Sequence, residues 1–159
     1  MNADDELDRI DRAILRVLQA EGRLTNQALA SRVGLSPSAC LARVRHLERT
    51  GAIQGYHARL DPYRLGIGLV LFVEVTLDDH RPEELERFEA AIAAFPEVVE
   101  ASHVSGDVDY VLKVVVADMP AWTRLREKFI AEPIGASRIT THVLMRKPKV
   151  FVGYPVSDR

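Results

Sequence analysis

The 159-residue chain contains a single cysteine. One thiol cannot form an internal disulfide, so a reducing compartment, the cytoplasm, is the expectation. The five histidines are scattered, and no Cys/His spacing resembles a zinc site. No metal and no cofactor are expected. No apolar run approaches the length of a membrane span, which argues against a membrane partner. The opening "MNADDELDRID" is acidic and lacks the basic and apolar regions of a signal peptide. Strong net charge is also missing, at −2 overall. What remains is globular composition, 47% hydrophobic and 28% charged, enough to bury a core in one ordinary domain or two small ones.

The small net charge hides an asymmetry. Residues 22–59 hold six Arg, one Glu, no Asp and no Lys, so this segment carries +5 against −7 in the rest. A basic segment inside an acidic chain points to a local polyanion site, although a charge run alone is more often a solvated face. The local pattern gives the segment a shape. Leu7, Ile10, Ile14, Val17 and Leu18 recur at helical spacing, with Asp8 and Asp11 at the favourable end of the helix dipole. Thr25 caps a second, short helix that Asn26 enters, and Gly34 supplies a turn. Ser36 and Pro37 are a helix start, and the third helix buries Cys40, Leu41, Val44 and Leu47 before Gly51 stops it. Ala30 and Gly34 are small where two helices must cross. This is a helix-turn-helix, whose last helix enters the major groove of double-stranded DNA. At 100° per residue, Ser38, Ala42, Arg45, His46 and Arg49 face away from the core, with Arg43 on the flank. Ser36, Ser38 and Ala39 in its first turn are placed to meet base edges, and Arg43, Arg45 and Arg49 to meet phosphates. Thr25 and Asn26 complete the candidate DNA-binding set. Cys40 reads as a small core residue.

The second half changes period. Residues 51–60 read as a connecting strand of the first domain (1–60), and 61–66 as a linker punctuated by Asp61-Pro62 and Gly66. Strands at 69–77, 98–105, 108–117 and 137–145 alternate with amphipathic helices at 82–95 and 119–130, and Gly106-Asp107 reads as a two-residue turn. The order βαββαβ, over 67–147, predicts an α+β fold: a ferredoxin-like sheet behind the helix-turn-helix. Two helices cover one face only, yet Val70, Phe72, Val111 and Val115 make the other face apolar as well. A second copy, sheet against sheet, is the economical cover; a loop or the tail (148–159) folding over it is the alternative.

Taken in order, "LDRIDRAIL", "GLSPSACLARVRHLE", "GAIQGYHARLDP", "LFVEVTL" and "VSGDVDYVLKV" resemble successive motifs of the Lrp/AsnC, or feast/famine, regulators, from Leu7 to Met145. The resemblance implies an amino-acid-responsive, DNA-binding transcriptional regulator rather than an enzyme, a homodimer assembling to an octamer, with the effector held between regulatory domains. It places the effector loop at Ser105, Gly106, Asp107, Asp109 and Tyr110. Asp107 or Asp109 would pair with the ammonium, and N–H groups around Gly106 with the carboxylate. The same residues also read simply as a hairpin turn. Met119, Thr141 and His142 lie near the effector region by the same likeness. The tail "RKPKVFVGYPVSDR" matches no motif. Two other functions share this outline. A sirohaem decarboxylase would need His103 and His142 to converge over a tetrapyrrole pocket. A general DNA-packing protein would lack effector control.

Overall fold

The computed structural model describes residues 7–131 and 136–157. The chain divides into two compact units: one contains residues up to Arg59 together with the segment from Lys149 onward, the other runs from Leu60 to Pro148.

In the first unit, α1 (Arg9–Ala20), α2 (Asn26–Val33) and α3 (Pro37–Arg49) follow one another closely. Each start has a chemical cause. Asp8 accepts the Asp11 N–H while the Asp11 carboxylate accepts the Asp8 N–H, a closed capping box. The Thr25 hydroxyl caps α2 at the Ala28 N–H, and Ser36 caps α3 at the Ala39 N–H ahead of Pro37 in the first turn. Gly34 ends α2 with φ +72°, a left-handed conformation that costs any other residue energy. Ile14, Leu29, Ala30, Cys40 and Leu47 form the core. Each large member contributes about 1.5–3 kcal/mol of apolar burial. Leu41, expected inside, is 37% exposed. It lines a shallow groove with Leu18, Val44 and Tyr56 instead of closing the core. Residues 51–60, expected as a connecting strand, have no ladder partner among the described residues. A strand is defined by its pairing, and the pattern of residues cannot supply a partner.

In the second unit, Tyr63–Leu65 makes one 3₁₀ turn. Then come β1 (Leu69–Leu77), α4 (Pro82–Ala93), β2 (Val98–His103), β3 (Tyr110–Val116), α5 (Met119–Ala131) and β4 (Ala136–Val143). The four strands form one antiparallel sheet in the order β2-β3-β1-β4. Strand periodicity sends Leu71, Val73, Val75 and Leu77 of β1, and Tyr110, Leu112, Val114 and Val116 of β3, to one face. Phe88, Ile92, Trp122, Leu125 and Phe129 from the two helices pack there. The opposite face carries Val70, Phe72 and Glu74 of β1 and Val111, Lys113 and Val115 of β3; Phe72 is 36% exposed. Cross-strand pairs Lys113–Glu100 (3.3 Å) and His142–Glu74 (3.3 Å) flank these apolar residues. The connection between β2 and β3 is longer than the two-residue turn expected. It spans 104–109 and is closed by the Val104 N–H donating to the Asp109 carbonyl at 2.9 Å.

Candidate DNA-reading helix and ligand loop

α3 presents its cap and its first two turns openly: Ser36, Ser38, Ala39 and Ala42 are all exposed. The Ser36 and Ser38 hydroxyls lie 3.2 Å apart, so two small donor–acceptor groups stand together where a helix N-terminus also favours an anion. Arg45 and Arg49 are exposed, and among the described residues neither pairs with a carboxylate. His46 is half-buried between them. The helix is held at its start by Asn26, whose side-chain N–H donates to the Pro37 carbonyl at 2.8 Å, locking the beginnings of α2 and α3 together. Thr25 is exposed and used as a cap.

Arg43 departs from the phosphate role expected of it. Its guanidinium donates to Asp8 at 2.6 Å and to Asp11 at 2.8 Å, across to the N-terminus of α1. The hydrogen bonds to Asp11 and then Asp8 push the Arg43 pKa further up. The Asp8 carboxyl is held below its usual range, first by the Asp11 N–H and then by Arg43. Asp11 is buried, so this contact fixes how α3 crosses α1. No short-range pattern joins residues more than thirty positions apart, which is why the sequence places Arg43 only on a flank.

The loop before β3 separates its two aspartates. Asp109 is committed inward: one carboxylate oxygen accepts the Leu77 N–H at 2.8 Å and the other contacts His80 Nε2 at 2.9 Å. The Leu77 N–H is the main cause of its lowered pKa, with His80 adding to it. Asp109 thus ties the start of β3 to the end of β1, and His80 serves it. Asp107 is exposed, and its carboxylate has no partner among the described residues; Arg138 reaches only its backbone carbonyl, at 3.5 Å. Ser105 is exposed beside it, and Gly106 has φ +125° with nothing within 4 Å of where a Cβ would lie. Of the loop, then, Ser105, Gly106 and Asp107 are open to a ligand.

The remaining residues expected at an effector site are dispersed. Met119 and Thr141 do meet, with Trp122, Thr123, Arg126 and Ile139, around a cleft of about 400 Å³ between α5 and β4. His142 does not: it is in register with Phe72 on the far face of the sheet and pairs with Glu74. Strand alternation makes that unavoidable for neighbours such as Thr141 and His142. Tyr110 is 2% exposed in the core. Its hydroxyl donates to Glu89 at 2.9 Å, His103 stacks on its ring at 4.7 Å, and burial and then Glu89 push its pKa up to about 12. His103 stands on edge strand β2, on the helix-covered face, and His142 on the opposite edge strand and the opposite face. They do not converge, so the pair a tetrapyrrole decarboxylase would need is not assembled. No group of three or more His, Cys, Asp or Glu among the described residues is placed to hold a metal.

Comparison with known proteins follows the same division. Residues 7–54 match the family described as winged helix-turn-helix DNA-binding, and residues 70–152 match the Lrp/AsnC ligand binding domain. The leucine-responsive regulatory protein of Salmonella typhimurium is 47% identical over 144 residues, 91% of this chain and 88% of that protein. The crystal structure of an AsnC family transcriptional regulator from Agrobacterium tumefaciens superposes with a TM-score of 0.86 at 38% identity, covering 93% of this chain and 96% of that one. A transcriptional regulator from Neisseria meningitidis, solved as its L-Met complex, gives 0.87 at 33% identity over 94% and 97%. With an open reading helix on one unit and an open, glycine-bearing loop on the other, the chain belongs to the Lrp/AsnC family of DNA-binding transcriptional regulators.

Proposed function

We propose that this regulator binds duplex DNA through α3 and answers to a free amino acid held at the Ser105–Gly106–Asp107 loop. The observation that carries the effector half is the contrast between the aspartates: Asp109 is spent inside the fold, and the Asp107 carboxylate, without a partner among the described residues, stands beside a glycine that leaves the backbone approachable. An α-amino acid needs an anion for its ammonium and N–H donors for its carboxylate, and these neighbours offer both. An effector with an apolar side chain is in keeping with a relative named for leucine and another solved with L-methionine. On the DNA side, Ser36, Ser38, Ala39 and Ala42 meet base edges, Arg45 and Arg49 meet phosphates, and Arg43 orients the helix. The protein acts in the cytoplasm, has no catalytic role, and works as a homodimer through the outer face of the sheet; further assembly to an octamer rests on the family likeness.

The test is operator affinity with and without each of the twenty amino acids, on a duplex the protein selects from a random pool. Leucine or methionine should shift it. Asp107→Asn keeps the loop's shape and removes one charge-assisted bond of about 1.5–3 kcal/mol, so the effector concentration needed should rise about tenfold or more. Affinity without effector should be unchanged. A response by Asp107→Asn at the parent's concentrations would place the effector elsewhere.

A further inference from the structure

The chain passes between its two units twice. It leaves the DNA-binding unit at Arg59 and returns to it at Lys149, because the C-terminal segment groups with the helix-turn-helix. The contact is specific. The Gln19 side-chain amide, near the end of α1, makes both bonds a β-ladder neighbour would make to one residue: its oxygen accepts the Tyr154 N–H at 2.6 Å, and its N–H donates to the Tyr154 carbonyl at 2.8 Å. Nearer the start of α1, the Arg12 guanidinium donates to the Ser157 carbonyl at 3.4 Å. The spacing is commensurate. Seven helical residues from Arg12 to Gln19 rise about 10 Å, and three extended residues from Tyr154 to Ser157 also span about 10 Å. The segment therefore lies antiparallel along one stripe of α1. Pro155 favours extended backbone at Tyr154. Gly153 allows the close approach: its φ is +133°, and a Cβ there would lie 2.1 Å from the Gln19 side-chain carbonyl carbon.

We propose that residues 150–157 are a second tether between the regulatory and DNA-binding units, with the Arg12–Gln19 stripe of α1 as their receptor. A single flexible linker leaves a domain free to reorient, and a second attachment removes much of that freedom. Docked, the segment continues from β4 through residues 144–148 to α1, the helix against which Arg43 sets α3. On the proposed function, on which this clause rests, a change at the Ser105–Gly106–Asp107 loop, which Arg138 of β4 contacts, then reaches the reading helix by two routes.

The experiment needs neither DNA nor effector, so its failure is distinct from a failure of the proposed function. Three proteins are compared with the parent: Gln19→Ala, Gly153→Ala, and a chain ended after Pro148. Hydrogen exchange of a peptide covering residues 150–157 reads docking in the full-length proteins. Distances between spin labels, one at Arg32→Cys and one at Glu97→Cys, diluted with unlabelled chain, read freedom between the units. The parent segment should be protected, and both point variants should exchange at least tenfold faster. The label-to-label distance distribution should broaden in all three variants. An unprotected parent segment would overturn the proposal, as would a distribution of unchanged width once docking is lost.

Discussion

Arg43 and Arg45 stand two positions apart on one helix and have different work. Arg43 is spent on the carboxylates of Asp8 and Asp11, while Arg45 has no carboxylate partner among the described residues. The Asp8 contact is half-open to water and contributes little. The Asp11 contact is largely enclosed, its carboxylate side chain being 10% exposed, and deleting its partner leaves a buried charge. Arg43→Ala should therefore lower stability by about 1–3 kcal/mol and weaken DNA binding only as far as α3 loses its seat. Arg45→Ala and Arg49→Ala should leave the melting temperature nearly unchanged. Each should flatten the slope of log affinity against log salt by about 0.9. Thermal melts and a salt series on the three variants decide it: if Arg43→Ala alone changes the salt slope, the assignment is reversed.

At the scale of the elements, Asp109 closes the end of the sheet by holding the last residue of β1 and the His80 loop to the start of β3. Its folded pKa is depressed, so the sign is that of a stabilising carboxylate. The contribution is full above the unfolded value of about 3.9 and is lost as pH falls through the lower folded value. Asp109→Asn should melt several degrees below the parent at pH 7, and the gap should close as the pH drops below about 4. A gap that stays constant across that range would show that the carboxylate charge contributes nothing. Effector affinity is a separate readout, and it should follow Asp107.

For the whole molecule, the proposed homodimer makes the outer face of the sheet its interface. Its apolar residues lie between ion pairs, and this governs how the face is tested. An Asp in place of Phe72 would sit in register with Lys113 on one side and His142 on the other, and the Lys113 ammonium can compensate it. Val70 is in register with Val115, so Val70→Asp places a charge against apolar neighbours. The cost of burying it unpaired falls on the dimer. Sedimentation equilibrium should show the variant shifted towards monomer with its far-UV circular dichroism intact. A fully dimeric Val70→Asp would remove the sheet-to-sheet interface.

Short-ranged features could be read from the residues alone. The Thr25 and Ser36 caps, the left-handed Gly34, Pro37 in a first turn, and the two-residue period of β1 and β3 depend on neighbours within about four positions, and the chain displays all of them. From them the helix-turn-helix, the βαββαβ order and the exposed face of α3 were legible. Tertiary structure alone decided which charged groups are used up. Arg43 meets Asp11 across 32 positions, Asp109 meets Leu77 across 32, and Gln19 meets Tyr154 across 135. It also decided that Thr141 reaches the cleft while His142 faces away, and that the tail joins the first unit. The physical reason is one of distance along the chain. Caps and periodicities are local free-energy preferences, whereas the partner of a charge is set by packing that brings remote segments together.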